Sequence, residues 1–312
     1  MKPDLLLIEP MMPAIEAQLD ASYNVCRLFD PVQRQMIEAS CSNIRAVVTG
    51  GGTGLSNDWI DRLPNLGIIA INGVGTDKVD LPYARERGID VTTTPGALTD
   101  DVADMALTLI LALSRRIVQG DAAIRAGRWA RGEEFPLGRG LGGKRLGILG
   151  LGQIGRAIGL RAEAFGMTPF YYNRSQVPDC TWTSLPDPVA LASKCDVLAV
   201  CIASTASTQN IVDRSVLSAL GKDGIIVNIA RGAVIDEPAL IAAVRDGSIA
   251  GAGLDVFVGE PTINPAFYDL PNTVLAPHQG SATIETRLRM GDIVVTSLDS
   301  HFAGKRPAAT VN

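Results

Sequence analysis

The chain has 312 residues, enough for one large or two ordinary domains, and its 46% hydrophobic and 20% charged content is that of a globular rather than a disordered protein. Its 28 Lys and Arg stand against 33 Asp and Glu, a net charge of −5, so no basic footprint favours nucleic acid or an anionic membrane, and neither is expected as a partner. The opening MKPDLLLIEP is too short in apolar residues for a signal-peptide core and the stretch 105–113 falls far short of a bilayer span, so a cytoplasmic protein is expected.

Short β-rich runs alternate with helical segments along most of the chain. The first set covers 5–8, 25–29, 46–49, 67–72 and 90–94; the second covers 145–149, 169–173, 197–202, 225–230, 253–257 and 273–276. Apolar runs spaced by helices imply parallel sheets covered on both faces, hence an α/β chain built twice over. Between the sets, Val102, Met105, Ala106, Leu109, Ile110, Leu113 and Ile117 repeat at helical spacing, with Thr99 or Asp100 able to cap the start. This predicts one long buried helix bridging two domains. The segment 127–143 reads as an extended loop. Cys26, Cys41, Cys180, Cys195 and Cys201 form no CxxC pair, so neither a disulfide framework nor a zinc site is indicated, no metal is expected, and they read as core fillers.

The sharpest local signal is RLGILGLGQIGRAIGLRAEAFG. A β-run leads into Gly150, Gly152 and Gly155, and Gln153 and Ile154 open an amphipathic helix. The first glycine allows the turn, the second lets backbone approach a pyrophosphate, and the third permits close packing of helix on strand. The phosphates would sit at the helix N-terminus, where unpaired N–H groups favour negative charge. The end of the next strand selects the nucleotide: an acidic group suits NAD, a cation without a carboxylate suits NADP. Asn173, Arg174 and Ser175 stand there, with no acidic residue until Asp179, which points to NADP(H). The alternative is a solvated Arg174 that stacks on adenine in either cofactor.

Three later segments carry polar groups at the ends of β-runs: NIARGAVID with Arg231, LDVFVGEP with Asp255 and Glu260, and APHQGSAT with His278. Ligands collect outside the carboxyl ends of strands in open parallel sheets, so these groups are expected to converge. Each also has a bland reading, as a salt bridge, an exposed turn residue or a buried structural histidine; their joint occurrence after a dinucleotide motif argues against it. His301, the only other histidine, reads as a surface or interface residue.

With NGVGTDKVDL, TPGALTDDVAD, GLGQIGRAI, NIARGAVIDEPAL, LDVFVGEP and APHQGSAT in this order, the whole chain resembles the D-isomer-specific 2-hydroxyacid dehydrogenase family. It is most similar to the glyoxylate, hydroxypyruvate and hydroxyphenylpyruvate reductase branch, which usually uses NADPH. The resemblance implies two Rossmann-like doubly wound parallel-sheet domains with the active site in a cleft between them. A discontinuous substrate domain would cover 1–98 and 285–312, and an NADP-binding domain 99–284. It implies a homodimer, a small 2-oxo acid as substrate, and hinge closure near 94–100 and 280–285.

The family's catalytic residues correspond to Arg231, Glu260 and His278. Hydride addition to a ketone builds charge on oxygen, which a protonated imidazole can neutralise. Glu260 would favour and orient that imidazolium, and Arg231 would hold the oxo acid through paired oxygens. Asp255, Thr208 and Gly280 match positions beside the nicotinamide. Backbone N–H groups at Val74 and Gly75 would cradle the substrate carboxylate, and Gly51 and Gly52 match another substrate-facing loop, or form merely a flexible one. Trp129 is either a packing residue or an interface residue reaching a neighbour's cleft. Departures from the pattern are Gln279 after the histidine, the loop ASTASTQN without its usual prolines, and TPGALTDD in place of a Pro-Asp pair. No regulatory extension is expected after Asn312. The competing readings are an arylpyruvate reductase, a corepressor-like nucleotide-sensing module, and a formate dehydrogenase, against which Glu260 speaks.

Overall fold

The computed structural model describes residues 2–39 and 41–312. Two compact units emerge, one running to Leu98 and resuming at Ser281–Asn312, the other spanning Thr99–Gly280. Each is built on a parallel sheet, so the chain is α/β twice over.

The first unit contains β1 (Asp4–Leu7), α1 (Pro13–Ser22), β2 (Asn24–Arg27), α2 (Pro31–Ala39), β3 (Ile44–Gly50), α3 (Asn57–Asp61), β4 (Ile68–Asn72), α4 (Leu81–Glu86) and β5 (Asp90–Thr92). Strand order is β2-β1-β3-β4-β5, so the winding direction reverses between β1 and β3. Leu6, Val47, Ile69, Ile71 and Val91 bury against one layer of helices. The alternate residues Leu5, Leu7, Ala46, Val48, Ile68 and Ala70 face the other way. Two buried faces explain why these strands read as continuous apolar runs rather than as alternation. Helices begin where short polar side chains accept otherwise unpaired N–H groups: Ser56 from Trp59 and Asp80 from Tyr83.

The second unit holds α5 (Thr99–Ser114), α6 (Ile117–Arg125), β6 (Arg145–Leu149), α7 (Gln153–Ala164), β7 (Thr168–Tyr172), β8 (Thr183–Ser184), α8 (Pro188–Lys194), β9 (Val197–Val200), α9 (Arg214–Leu220), β10 (Ile225–Asn228), α10 (Glu237–Arg245), β11 (Gly251–Leu254) and β12 (Thr273–Leu275). Strand order is β12-β11-β10-β9-β6-β7-β8, reversing between β6 and β9. Gly253 lets α5 lie close on the sheet: a Cβ there would meet Leu109 at 3.0 Å and Leu113 at 3.1 Å. Finally α11 (Ile284–Phe302) returns to the first unit, where Val294 and Leu298 close the face lined by Leu5 and Leu7.

Three expectations need correction. The helix after Thr99 does not run through Ile117; it ends at Ser114, Arg116 adopts a left-handed φ of 54°, and α6 starts separately with Ile117 exposed. The apolar periodicity continued across a break that only the backbone reveals. The run 253–257 is strand only to Leu254, because Val256 and Phe257 bury their side chains from a loop instead. The cysteines are not uniformly core: all five are free, and only Cys195 is fully buried. His301, half-buried, accepts or donates a hydrogen bond through Nδ1 with Asp90 Oδ2 at 3.0 Å, which ties α11 to β5.

Candidate active site

The glycine turn sits where the second sheet changes winding direction. Gly150 has φ +100°, and a Cβ on it would lie 2.6 Å from Ile202 Cα, so the turn after β6 touches the chain leaving β9. Gly155 faces the Gly150 carbonyl, where a Cβ would come to 2.4 Å, whereas a Cβ on Gly152, at the N-terminus of α7, would meet nothing within 4 Å. That division of labour suits a pyrophosphate: two glycines allow close packing and the third leaves the approach to the N–H groups clear. Gln153 accepts from the Thr99 hydroxyl at 3.4 Å, and the residue after it, Ile154, is half-buried in the first turn. The Cys201 thiol donates to the Gly150 carbonyl at 3.3 Å, a support for the turn that sequence reasoning missed.

Beyond β7, Arg174 and Ser175 are exposed and Asn173 half-buried. Arg174 makes no hydrogen bond or ion pair among the described residues. After β9, Thr208 closes a tight loop: its hydroxyl donates to the Ala203 carbonyl at 2.7 Å and accepts from Thr205 N at 2.8 Å.

At the end of β10, the buried Asn228 builds the turn that carries Arg231. Its Nδ2 donates to the Arg231 carbonyl at 2.9 Å and its Oδ1 accepts from Ala230 N at 3.0 Å. Gly232 then presses against the next loop, where a Cβ would fall 2.0 Å from the Phe257 carbonyl carbon. Glu237 reaches the same loop, accepting from Val258 N at 3.3 Å. Replacing Asn228 by Asp turns the donor facing the Arg231 carbonyl into another acceptor. Such a variant is expected to lose about 1–3 kcal/mol of stability, read as a shift in the urea midpoint; an unmoved midpoint would show that this bond contributes nothing.

The loop after β11 and the turn after β12 bring the remaining groups together. Glu260 Oε2 and His278 Nδ1 are 2.6 Å apart, and Glu260 Oε1 accepts from Phe257 N at 2.6 Å. His278 adopts a left-handed φ of 53°, a conformation few residues with a side chain take, and its N–H donates to the Asp255 carbonyl at 2.9 Å. Asp255, 2% exposed, accepts through both carboxylate oxygens from the next two N–H groups, Gln279 at 2.7 Å and Gly280 at 2.8 Å. It therefore anchors the turn that aims the imidazole.

The two carboxyls are pushed in opposite directions. Burial works against ionising Glu260, but the bonds from His278 and Phe257 N–H, with the charges of His278 and Arg231, outweigh it and hold the group below the usual carboxylate range. Burial pushes Asp255 up, and the N–H groups of Gln279 and Gly280 only partly offset this. Glu260 is thus the carboxylate suited to face an imidazolium.

The expected substrate-facing glycines lie at the matching edge of the first sheet. Gly51 and Gly52 follow β3, and Val74, exposed, and Gly75 follow β4. The two loops touch, for a Cβ on Gly73 would lie 3.3 Å from Gly51 N. The triple-glycine loop is no slack tether: Gly54 N donates to the Gly50 carbonyl at 2.9 Å and the Thr49 hydroxyl to the Gly54 carbonyl at 2.7 Å. Trp129 is 67% exposed.

A doubly wound sheet with a glycine turn at its switch point, and a carboxylate–imidazole pair carried after the third and fourth strands from it, defines a dinucleotide-dependent dehydrogenase. Residues 107–280 match the NAD binding domain of the D-isomer specific 2-hydroxyacid dehydrogenases. The chain is 48% identical over 304 residues, 97% of each chain, to a 2-ketogluconate reductase of Gluconobacter oxydans. It is 44% identical over 302 residues, 96% of each chain, to a glyoxylate/hydroxypyruvate reductase of Arabidopsis thaliana. Among solved structures, an NADPH-dependent glyoxylate/hydroxypyruvate reductase from Sinorhizobium meliloti, in complex with NADP and malonate, superposes with a TM-score of 0.93 at 38% identity, covering 100% of this chain and 97% of that one. The protein belongs to the D-isomer specific 2-hydroxyacid dehydrogenase family, and is an oxidoreductase using a nicotinamide dinucleotide.

Proposed function

We propose that this enzyme reduces small 2-oxo acids, foremost glyoxylate and hydroxypyruvate, to D-2-hydroxy acids with NADPH. The observation that carries the reading is the 2.6 Å Glu260–His278 pair within reach of the Arg231 charge, in the unit that also holds the glycine turn. When bound, the reduced nicotinamide supplies a hydride to the keto carbon. His278 donates a proton to the carbonyl oxygen as negative charge builds there. Glu260 accepts from Nδ1, which leaves Nε2 as the donating atom and balances the imidazolium charge. Arg231 holds the substrate oxygens, and the loops at Gly51–Gly52 and Val74–Gly75 keep the substrate-facing role described above. Asp255 acts on the nicotinamide side through Gly280, which it holds, and Thr208 lines the same side. The complete acid, carboxylate and guanidinium set favours catalysis over a purely nucleotide-sensing role.

Arg174, exposed and with no ion pair among the described residues, supports a preference for the 2′-phosphate of NADPH, as does the NADP-bound Sinorhizobium relative. The test is a panel of 2-oxo acids with NADPH and NADH side by side, including 2-ketogluconate and hydroxyphenylpyruvate, for which relatives are named. NADPH is expected to exceed NADH by at least about tenfold in kcat/KM, and Arg174→Glu to abolish that preference. Equal wild-type rates would remove NADPH selectivity, and no turnover on any 2-oxo acid would remove the reading itself.

The proposal includes a homodimer in the cytoplasm. Ile117, Val118, Ile124, Trp129 and Leu137 form a run of exposed apolar side chains along one stretch of the second unit, a cost in water that an interface would relieve. Five free thiols suit a reducing compartment. Among the described residues, no helix is long and apolar enough to cross a membrane.

A further inference from the structure

In open parallel sheets a ligand crevice forms where the winding direction reverses. In the first unit that point lies between β1 and β3, whose register pairs Leu7 with Val48. Carried two residues further, the register sets Glu9 beside Gly50, at the mouth of the loop holding Gly51 and Gly52. Glu9 Oε1 occupies the space of the missing side chain, 2.0 Å from where a Cβ on Gly50 would stand. Glu9 Oε2 accepts from the Thr53 hydroxyl at 2.6 Å. Half-buried, Glu9 forms no ion pair among the described residues. The turn below it is closed by the Gly54–Gly50 and Thr49–Gly54 bonds, so the carboxylate stands on a defined surface.

A carboxylate is acceptor only. Without a cation beside it, a second carboxylate on a ligand would meet like charge, and an apolar or aromatic tail would displace its water without replacing the hydrogen bonds. Hydroxyl groups meet the requirement, since they donate and carry no charge. We propose that Glu9 determines substrate class by accepting hydrogen bonds from hydroxyl groups on the carbons beyond the keto carbon, favouring hydroxylated 2-oxo acids and disfavouring dicarboxylic ones. The inference rests on the 2-oxo acid reading above and on the substrate-facing role given there to Gly51 and Gly52.

The test compares wild type, Glu9→Gln and Glu9→Ala with NADPH on glyoxylate, which has no carbon beyond the carbonyl, on hydroxypyruvate and 2-ketogluconate, which bear hydroxyls there, and on oxaloacetate, a dicarboxylate. In Glu9→Ala the kcat/KM ratio of 2-ketogluconate to glyoxylate is expected to fall about tenfold or more, and the ratio of oxaloacetate to glyoxylate to rise. Glu9→Gln, which keeps one acceptor oxygen and the side-chain shape, should fall between, and it decides the matter by the same ratios if the alanine variant does not fold. Ratios that stay constant, with all substrates changed alike or not at all, overturn the assignment of Glu9 while leaving the 2-oxo acid reading intact. Absence of wild-type turnover on every acid overturns both.

Discussion

His278→Ala is expected to lower kcat by about 10²- to 10⁴-fold, the range a positioned general acid contributes, while NADPH binding followed by nucleotide fluorescence stays near the wild-type value. The separation follows from geometry. His278 sits after β12 and bonds to Glu260, whereas the glycine turn follows β6 and draws its support from Cys201 and Ile202. Turnover within a factor of a few of wild type would exclude His278 as the proton donor. Glu260→Gln should lose less, because an amide still accepts from Nδ1 but no longer balances charge. Its stability effect carries a sign that can be checked. The folded-state value of Glu260 is lowered, so its contribution is fully present above the unfolded value of about 4.3 and is lost as pH falls through the lower folded value. The difference in melting temperature between wild type and Glu260→Gln should therefore shrink on acidification below that point.

Arg231→Lys is expected to reduce kcat/KM by about 10- to 100-fold, and Arg231→Ala by about a thousandfold. Lysine keeps the charge but not the planar fork, and one hydrogen bond between charged groups is worth about 1.5–3 kcal/mol. The loss should fall mainly on KM for the 2-oxo acid if Arg231 holds the ground-state substrate, and equally on kcat if it grips the developing alkoxide. Since the two ends of the Asn228 amide hold the Arg231 carbonyl and the Ala230 N–H, the loop itself should survive either substitution. Near-normal kinetics in the alanine variant, with the melting temperature unchanged, would leave Arg231 without a role in substrate binding.

Much of this architecture was legible because it is written in local order. Gly150, Gly152 and Gly155 stand close together on one turn, and Gly150 and Gly155 answer to neighbours only a few residues away in sequence or in the adjoining strand, while Gly152 leaves open space. Arg231, Glu260 and His278 were legible for a related reason: each follows an apolar run, and parallel strands carry their carboxyl ends to one edge. The supporting residues were not. Asn228 lies inside the run 225–230 and Cys201 reads as filler, and nothing in the sequence singles out Gly232 or Glu237, until the packing of separate loops shows what each one meets. The break after Ser114 was likewise hidden, because hydrophobic spacing records which residues want burial and carries no trace of a single left-handed backbone position such as Arg116.

The sequence by itself determined the α/β class, the dinucleotide turn and the family, and it nominated His278, Glu260 and Arg231 for the roles proposed above, since each depends on residue types at short spacing or on strand ends in a sheet. Tertiary structure alone decided that Glu260 is also bonded to the Phe257 N–H, that Asp255 is committed to two backbone N–H groups, and that Glu9 stands over Gly50. The reason is common to all three. Burial and the partners met across strands settle which of two chemically identical carboxylates is bonded, charged or free, and the order of residues along a chain does not contain those distances.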